Sequence, residues 1–456
     1  MVAQTLLTMS YITNEALVVL ENELVLANRV ERQYSDEFAQ TGAKIGATCN
    51  IRRPPRYKGT FGAPLNVENT FESSIPVSLN YQFHVDVQFT TQDLALSMDM
   101  FKERILRPQV ATVANRIDSD TAQYCFLNTA AVVGTPGVQP TSYKQFSDAR
   151  AILAAEACPK QGEKNCVLDP ITMSSIADSL KGLFNPQATV SDIYEEGLVA
   201  KRTAGLDWWE DQNIAAYTTG PVGTGTAQAI ATVPAGTALV ADGWAQSGTL
   251  QTKGWQASTA VVAVGDTIQI AGVLPVNPQN RLQYGRTPRQ FVVLPPGGFA
   301  VPPPGAAPAG LPLNAATLAN GTFNPTTGLY TSDAGGLLTL VIGDCIIYGG
   351  QFQNVTAAPA ASAAITINGG VGAANANVYS PQGLIFHKYA YALAFADLPL
   401  PRGVEFAARA YDDEDVGMSI RCVTQYTINN DSEPTRCDVL YGPASLYRTL
   451  GIRAAG

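Results

Sequence analysis

From Ile75 to Phe89 every odd position is apolar: Ile75, Val77, Leu79, Tyr81, Phe83, Val85, Val87 and Phe89. The even positions between them are Pro76, Ser78, Asn80, Gln82, His84, Asp86 and Gln88. Period-two alternation places all the apolar side chains on one face, so the run predicts a half-buried strand. At about 3.3 Å per residue it reaches roughly 50 Å, beyond the usual strand length. The same pattern occurs upstream at Ile45, Ala47, Cys49 and Ile51, and the stretch between holds Arg52, Arg53, Pro54, Pro55, Arg56, Lys58, Gly59, Gly62 and Pro64. Together these predict a long hairpin with an irregular, basic tip. A two-stranded ribbon is marginal alone in water, so its apolar face should rest on another body. The tip charges suit either plain solvation or docking on a neighbour's acidic surface.

Helical periods flank this hairpin. Leu17, Leu20, Leu24 and Val30 oppose Glu15, Glu21, Glu23, Glu31 and Arg32, which predicts an amphipathic arm with an acidic face. Thr90 with Asp93 resembles a capping box, and Leu94, Met98, Phe101, Ile105, Val110, Val113, Ile117 and Tyr124 continue one stripe. The stripe predicts a helix of about forty residues, kinked near Pro108. Ser142 and Gln145 cap a further segment with Phe146, Ala149, Ile152 and Leu153, and Asp169-Pro170 opens another with Ile176, Leu180 and Leu183.

The pattern changes near Gly220. Between 221 and 380 there are 8 charged residues and 23 of the chain's 40 glycines. Short apolar runs recur there between turn residues: Val261–Val264, Thr267–Ile270, Phe291–Leu294, Leu337–Ile342 and Ile346–Tyr348. This predicts an all-β barrel or sandwich inserted into a mixed protein, with 295–312 as a surface loop. So few charges suggest a module that hides surface in an assembly. Beyond 380, Leu384–Ala396, Val416–Ile428 and Arg436–Tyr441 read as strands, the last two joined by a turn at 429–434.

Composition narrows the function. A formal charge of −9 is the wrong sign for a sequence reader of DNA, whose affinity comes largely from phosphate neutralisation. It suits a container wall. No run of 18 apolar residues and no secretion signal at Met1–Ser10 is found, which reads as a soluble protein made in a cytoplasm. The seven cysteines contain no Cys-x-x-Cys pair and read as free, mostly buried thiols. His84 and His387 are the two candidate bases for a hydrolase, each in an extended pattern where a structural role is commoner. Asp412-Asp413-Glu414-Asp415 lacks the ligand spacing of a calcium loop and reads as a solvated loop or an intersubunit contact. Gly223-Thr224-Gly225 lacks the lysine of a phosphate loop, and Trp208 with Trp209 reads as packing at a strand start. No catalytic, cofactor or metal motif emerges.

The order of parts, together with specific stretches, resembles a known family. Those stretches are Phe386-His387-Lys388-Tyr389-Ala390-Tyr391-Ala392-Leu393-Ala394 into Leu398-Pro399-Leu400-Pro401, then Ala410-Tyr411-Asp412-Asp413-Glu414 and Met418-Ser419-Ile420-Arg421. Tyr426-Thr427-Ile428-Asn429-Asn430-Asp431 and Arg436-Cys437-Asp438-Val439-Leu440-Tyr441-Gly442 continue it, with Val264–Val273 and Gln353-Asn354-Val355-Thr356 inside the insertion. The chain resembles the coat proteins of short-tailed lambdoid phages, which share the tailed-phage and herpesvirus major capsid fold.

The resemblance implies an α+β protein: an N-terminal arm (1–42), an extended-loop hairpin (43–90) and a spine helix with peripheral domain (91–205). It further implies the start of an axial domain (206–221), a β-barrel insertion domain (222–366), and the axial domain with return strands (367–456). It implies self-assembly into hexamers and pentamers of an icosahedral head shell around double-stranded DNA, with only non-specific proximity to that DNA. Partners would be a scaffolding protein, a portal and a decoration protein, the place of assembly the host bacterial cytoplasm, and no membrane would be involved. The intersubunit contact would fall on Arg52, Arg53, Arg56 and Lys58 at the loop tip. The intercapsomer loop of the insertion would fall on Trp244, Lys253 and Trp255, and scaffold would meet Glu15, Glu21 and Glu23. Two other readings remain: an encapsulin-like bacterial nanocompartment shell, and a cytoplasmic hydrolase with a β accessory domain.

Overall fold

A computed structural model of the chain describes residues 16–18, 20, 24–32, 48–90, 107–160, 162–180, 205–223, 228–229, 239–240, 243–298, 313–314, 316–368, 375–404, 406–411 and 418–456. The hairpin is present but shorter than its pattern predicts. Thr48–Arg53 pairs antiparallel with Ser73–Ser78, and the chain then leaves the ribbon. Tyr81–Thr90 pairs instead with the first ten residues of Ser432–Ser445. The expected fifteen-residue strand is therefore two strands in two sheets. The alternation runs through the break because Leu79 and Asn80 preserve its phase. Ile75, Val77, Leu79 and Tyr81 are buried, whereas Asn80, Gln82, His84 and Asp86 are exposed. A period of two cannot separate one long strand from two that stay in phase.

Ser432–Ser445 is the centre of a five-stranded sheet. It pairs with Tyr391–Ala396, Ser419–Thr424 and Tyr81–Thr90, and Phe406–Tyr411 lies beside Ser419–Thr424. The strand expected at Leu384–Ala396 is broken by a 3-10 turn at Lys388–Ala390, which sends its halves into different sheets. The expectation of free thiols is also corrected, because Cys422 and Cys437 form a disulfide. They stand directly opposite on adjacent antiparallel strands, with Cα atoms 4.3 Å apart. That pairing depends on strand register, which cysteine spacing does not reveal. Cys125, Cys158, Cys166 and Cys345 are free.

A second sheet runs Ala131–Gly134, Gly451–Ala455, Tyr379–His387, Lys164–Leu168, Asp207–Glu210. Helices Tyr143–Ala155 and Pro170–Leu180 pack on it through Phe146, Leu153, Met173 and Ile176. Both begin with the expected caps. Ser142 Oγ accepts from the Lys144 N–H at 3.3 Å, and Asp169 Oδ2 accepts from the Thr172 N–H at 3.0 Å. Trp208 is buried against Phe146, with ring centroids 5.1 Å apart.

The spine helix is described over Arg107–Leu127, with Val110, Val113 and Ile117 buried. Pro108 lies at the start of the described part of the helix. The predicted kink and the cap at Thr90 and Asp93 cannot be placed, since 91–106 lie outside the described residues.

The insertion contains a six-stranded antiparallel sheet: Ile365–Ile367, Thr267–Ile270, Gln290–Leu294, Leu338–Gly343, Ser247–Lys253, Gln228–Ala229. A three-stranded sheet of Ala260–Ala263, Leu329–Thr331 and Thr322–Asn324 accompanies it. Its apolar interior is continuous with the rest of the chain. One cluster joins Leu250, Val262, Phe291 and Leu340 to Phe126 of the spine helix and to Leu393 and Phe395 of the sheet around Ser432–Ser445.

Candidate assembly surface and the junction that positions it

Beyond the ribbon, residues 54–72 form an irregular loop. Tyr57, Phe61, Leu65, Val67 and Phe71 are exposed on it, and Phe61 is fully so. Several large apolar side chains exposed on one loop are the kind of surface found at interaction sites.

The loop is braced internally. The Lys58 N–H donates to Glu68 Oε2 at 2.6 Å, and Tyr57 Oη lies 3.3 Å from Thr70 Oγ1. The insertion module holds both limbs. Arg281 donates to the Tyr57 and Lys58 carbonyls at 3.1 and 3.3 Å, Gln351 Nε2 donates to the Asn69 carbonyl at 2.6 Å, and Phe71 meets Phe352 edge-on.

The four basic residues assigned to the tip separate into two pairs. Arg52 is exposed, 3.7 Å from Glu72, and the Lys58 side chain is exposed. Arg53 and Arg56 turn back onto their own chain. The Arg53 guanidinium lies 4.8 Å from the Trp244 ring and 4.4 Å from Tyr447, and Arg56 lies 5.9 Å from Phe352. Burial lowers the pKa of both. Of the residues assigned to the intercapsomer loop, Trp255 is buried and donates to Thr252 Oγ1 at 2.7 Å, and Trp244 lies beneath Arg53. Lys253 is half-buried at the end of a strand. The structure does not bring these three together as an exposed loop. Glu15, Glu21 and Glu23, and the acidic run 412–415, lie outside the described residues.

Three buried polar clusters join the parts, and the reading of the residues singled out none of them. Where the chain enters and leaves the insertion, Asp266 accepts from the Gly220 N–H at 3.2 Å, the Ala263 N–H at 2.8 Å and Asn368 Nδ2 at 2.9 Å. Arg453, fully buried, donates to the Gly265 carbonyl at 2.8 Å and lies over Phe126. Burial raises the Asp266 pKa and lowers that of Arg453, so each offsets part of the other's desolvation. At the end of Tyr143–Ala155, buried Glu156 pairs with Arg289 at 2.7 Å and accepts from Tyr284 Oη, tying that helix to the insertion. On the spine helix, Asp118 accepts from the Val25 and Ala27 N–H groups at 2.8 Å each and so docks the arm. Burial and the Asp211 carboxylate push Asp118 up to about 7. The available signal was a lone acid beside Gly265 in a charge-poor stretch, where an unpaired charge would be costly.

His387 is buried, and its Nδ1 accepts from the Tyr389 N–H at 3.3 Å. His84 is exposed, 3.0 Å from Asp86. Among the described residues no helix is long and apolar enough to cross a membrane.

A body knitted together by buried ions, from which a braced loop projects apolar side chains into solvent, belongs to a protein that assembles with others. The family described as "P22 coat protein - gene protein 5" matches residues 1–307, and the chain belongs to that family. It is a major capsid protein of the head shell. Among solved structures, one from Mycobacterium phage Che8 is 10% identical, with 94% of this chain and 90% of that one covered and a TM-score of 0.41. The "Capsid structure of the Cyanophage P-SCSP1u" is 8% identical over 94% and 87%, TM-score 0.41. The "Asymmetric unit of bacteriophage PhiM1 mature capsid" is 11% identical over 90% and 82%, TM-score 0.38. No curated protein matches.

Proposed function

We propose that the subunit closes hexamers and pentamers by laying its loop 54–72 on a neighbouring copy, and that it acts purely as a structural element. The observation that carries this reading is the exposed row Phe61, Leu65 and Val67 on a loop that its own subunit holds rigid. Arg52 and Lys58 accompany that row and orient the docking, while Arg53 and Arg56 fix the base of the loop. The insertion contributes an intercapsomer contact near Lys253. Glu15, Glu21 and Glu23 offer a scaffolding protein its acidic docking face, and a portal and a decoration protein complete the head. The acidic chain meets packaged DNA only non-specifically.

Phe61→Ser, Leu65→Ser and Val67→Ser combined should leave thermal unfolding of the free subunit unchanged and abolish shells by sedimentation. Normal shell yield from that triple variant sinks the assignment of the loop.

A further inference from the structure

Two arginines at the base of the loop meet the end of the returning strand over a small cavity that shell building does not explain. It measures about 50 Å³ and is walled by Arg53, Arg56, Glu156, Asp344, Ser445 and Arg448, with Trp244 as an apolar side. At about 10–15 Å³ of such space per water, it holds roughly four water-sized spheres, enough for a tetrahedral oxyanion.

Its walls have unmet bonding capacity of a particular kind. Among the described residues, no carboxylate lies within ion-pair distance of Arg53 or Arg56. Burial disfavours the charge on both, and Arg53 further disfavours that on Arg56. Ser445 Oγ and Arg448 Nε are buried without hydrogen-bond partners. Arg448 is nevertheless fixed, donating to the Gln246 carbonyl at 2.5 Å and to Asn128 Oδ1 at 2.9 Å. One acceptor on the same wall is also orphaned, Asp344 Oδ2. Glu156, also in the wall, is paired with Arg289, so the cavity offers three arginines against Asp344, several donors, and one carboxylate oxygen that needs a proton donor.

We propose that this cavity binds hydrogen phosphate. The unprotonated oxygens accept from Arg53, Arg56, Ser445 and Arg448, and the P–OH group donates to Asp344 Oδ2. Sulfate has similar size and charge but carries no proton near neutral pH, so one of its oxygens faces the carboxylate unpaired. A phosphodiester of DNA lacks that proton as well. The site is therefore selective for inorganic phosphate or a terminal phosphate monoester. Because the ligand touches the loop base, the insertion and the C-terminal segment together, its binding stiffens the loop.

The test is calorimetric titration of the full-length unassembled subunit at neutral pH with inorganic phosphate and, separately, with sulfate at matched ionic strength. One saturable phosphate site per chain is expected, with sulfate weaker by at least about tenfold because a buried oxygen is left unpaired. Arg56→Gln should weaken phosphate by about tenfold or more, since a charge-assisted contact is lost. Asp344→Asn, whose amide can donate to either anion, should bring sulfate to within about threefold of phosphate. No saturable phosphate site, equal binding of both anions by the unaltered chain, or full phosphate binding by Arg56→Gln overturns the proposal. If Arg56→Gln fails to fold, the contrast between the two anions on the unaltered chain decides.

Discussion

Asp266→Ala is the sharpest perturbation of the junction between insertion and body. It removes the acceptor of three buried donors: the Gly220 and Ala263 N–H groups and the Asn368 amide. Hydrogen bonds to a charged acceptor contribute about 1.5–3 kcal/mol each, and donors left buried without partners cost more than the bond alone. Against this, the cost of burying the Asp266 carboxylate, visible in its raised pKa, disappears with it. Arg453 keeps its bond to the Gly265 carbonyl but loses a nearby opposite charge. The balance matches breaking a buried ion pair from one side, about 3–5 kcal/mol. Asp266→Asn keeps one acceptor oxygen at the same position and should lose only about 2 kcal/mol. Urea unfolding of the free subunit measures the loss, and native-state hydrogen exchange of Thr267–Ile270 and Gln290–Leu294 localises it. A loss below about 1 kcal/mol, with exchange in those strands unchanged, would show that Asp266 does not hold the junction.

Two further predictions concern the arm and the module boundary. The folded pKa of Asp118, about 7, lies above its unfolded value of about 4, so its stabilising proton uptake is complete below about pH 4 and lost as pH rises through 7. Stability should fall by up to about 1.4 kcal/mol per pH unit between those values, and Asp118→Asn should flatten that slope in urea titrations; an unaltered slope in the variant counts against it. The insertion should fold alone, and a fragment 220–368 should resist more urea than 222–366, because the shorter one lacks Gly220 and Asn368, both bound to Asp266. Equal midpoints would contradict the role of that cluster.

The parts of the fold legible in the sequence were those set by local periodicity. The apolar face of Ile75–Val87, the caps at Ser142 and Asp169, and the composition change at Gly220 each reflect interactions within a few residues. What escaped was set by register and by distant partners. The break between Ser78 and Tyr81 keeps phase, so only the distant strand Ser432–Ser445 reveals it. Cys422 meets Cys437, and Asp266 meets Asn368, by sheet pairing that no spacing rule encodes. The loop tip shows the same limit. Composition marked Arg52, Arg53, Arg56 and Lys58 as one basic cluster, yet aromatic rings from the insertion draw Arg53 and Arg56 inward. Cation–π contact then competes with solvation, and for a desolvated arginine it contributes about 1–2 kcal/mol.

That inward pull bears on assembly kinetics. Fixing one backbone residue costs about 1–2 kcal/mol, so ordering a free loop of this length on docking would consume most of the energy of a modest interface. Here the cost is met within the subunit, through Arg281 on the Tyr57 and Lys58 carbonyls, Gln351 on the Asn69 carbonyl, and Phe352 against Phe71. On the proposed docking, the insertion module would promote assembly without touching the neighbour that receives the loop. Arg281→Ala with Gln351→Ala removes three exposed hydrogen bonds whose carbonyls regain water, so the free subunit should lose no more than about 1–2 kcal/mol. Shell assembly followed by light scattering should nonetheless slow by about tenfold or more, since each lost 1.4 kcal/mol of preorganisation is a factor of ten in docking. Raising subunit concentration should restore the yield of normal shells, because the docking surface itself is intact. Assembly at the unaltered rate, with loop amides exchanging freely in the variant, would show that the brace plays no part in docking.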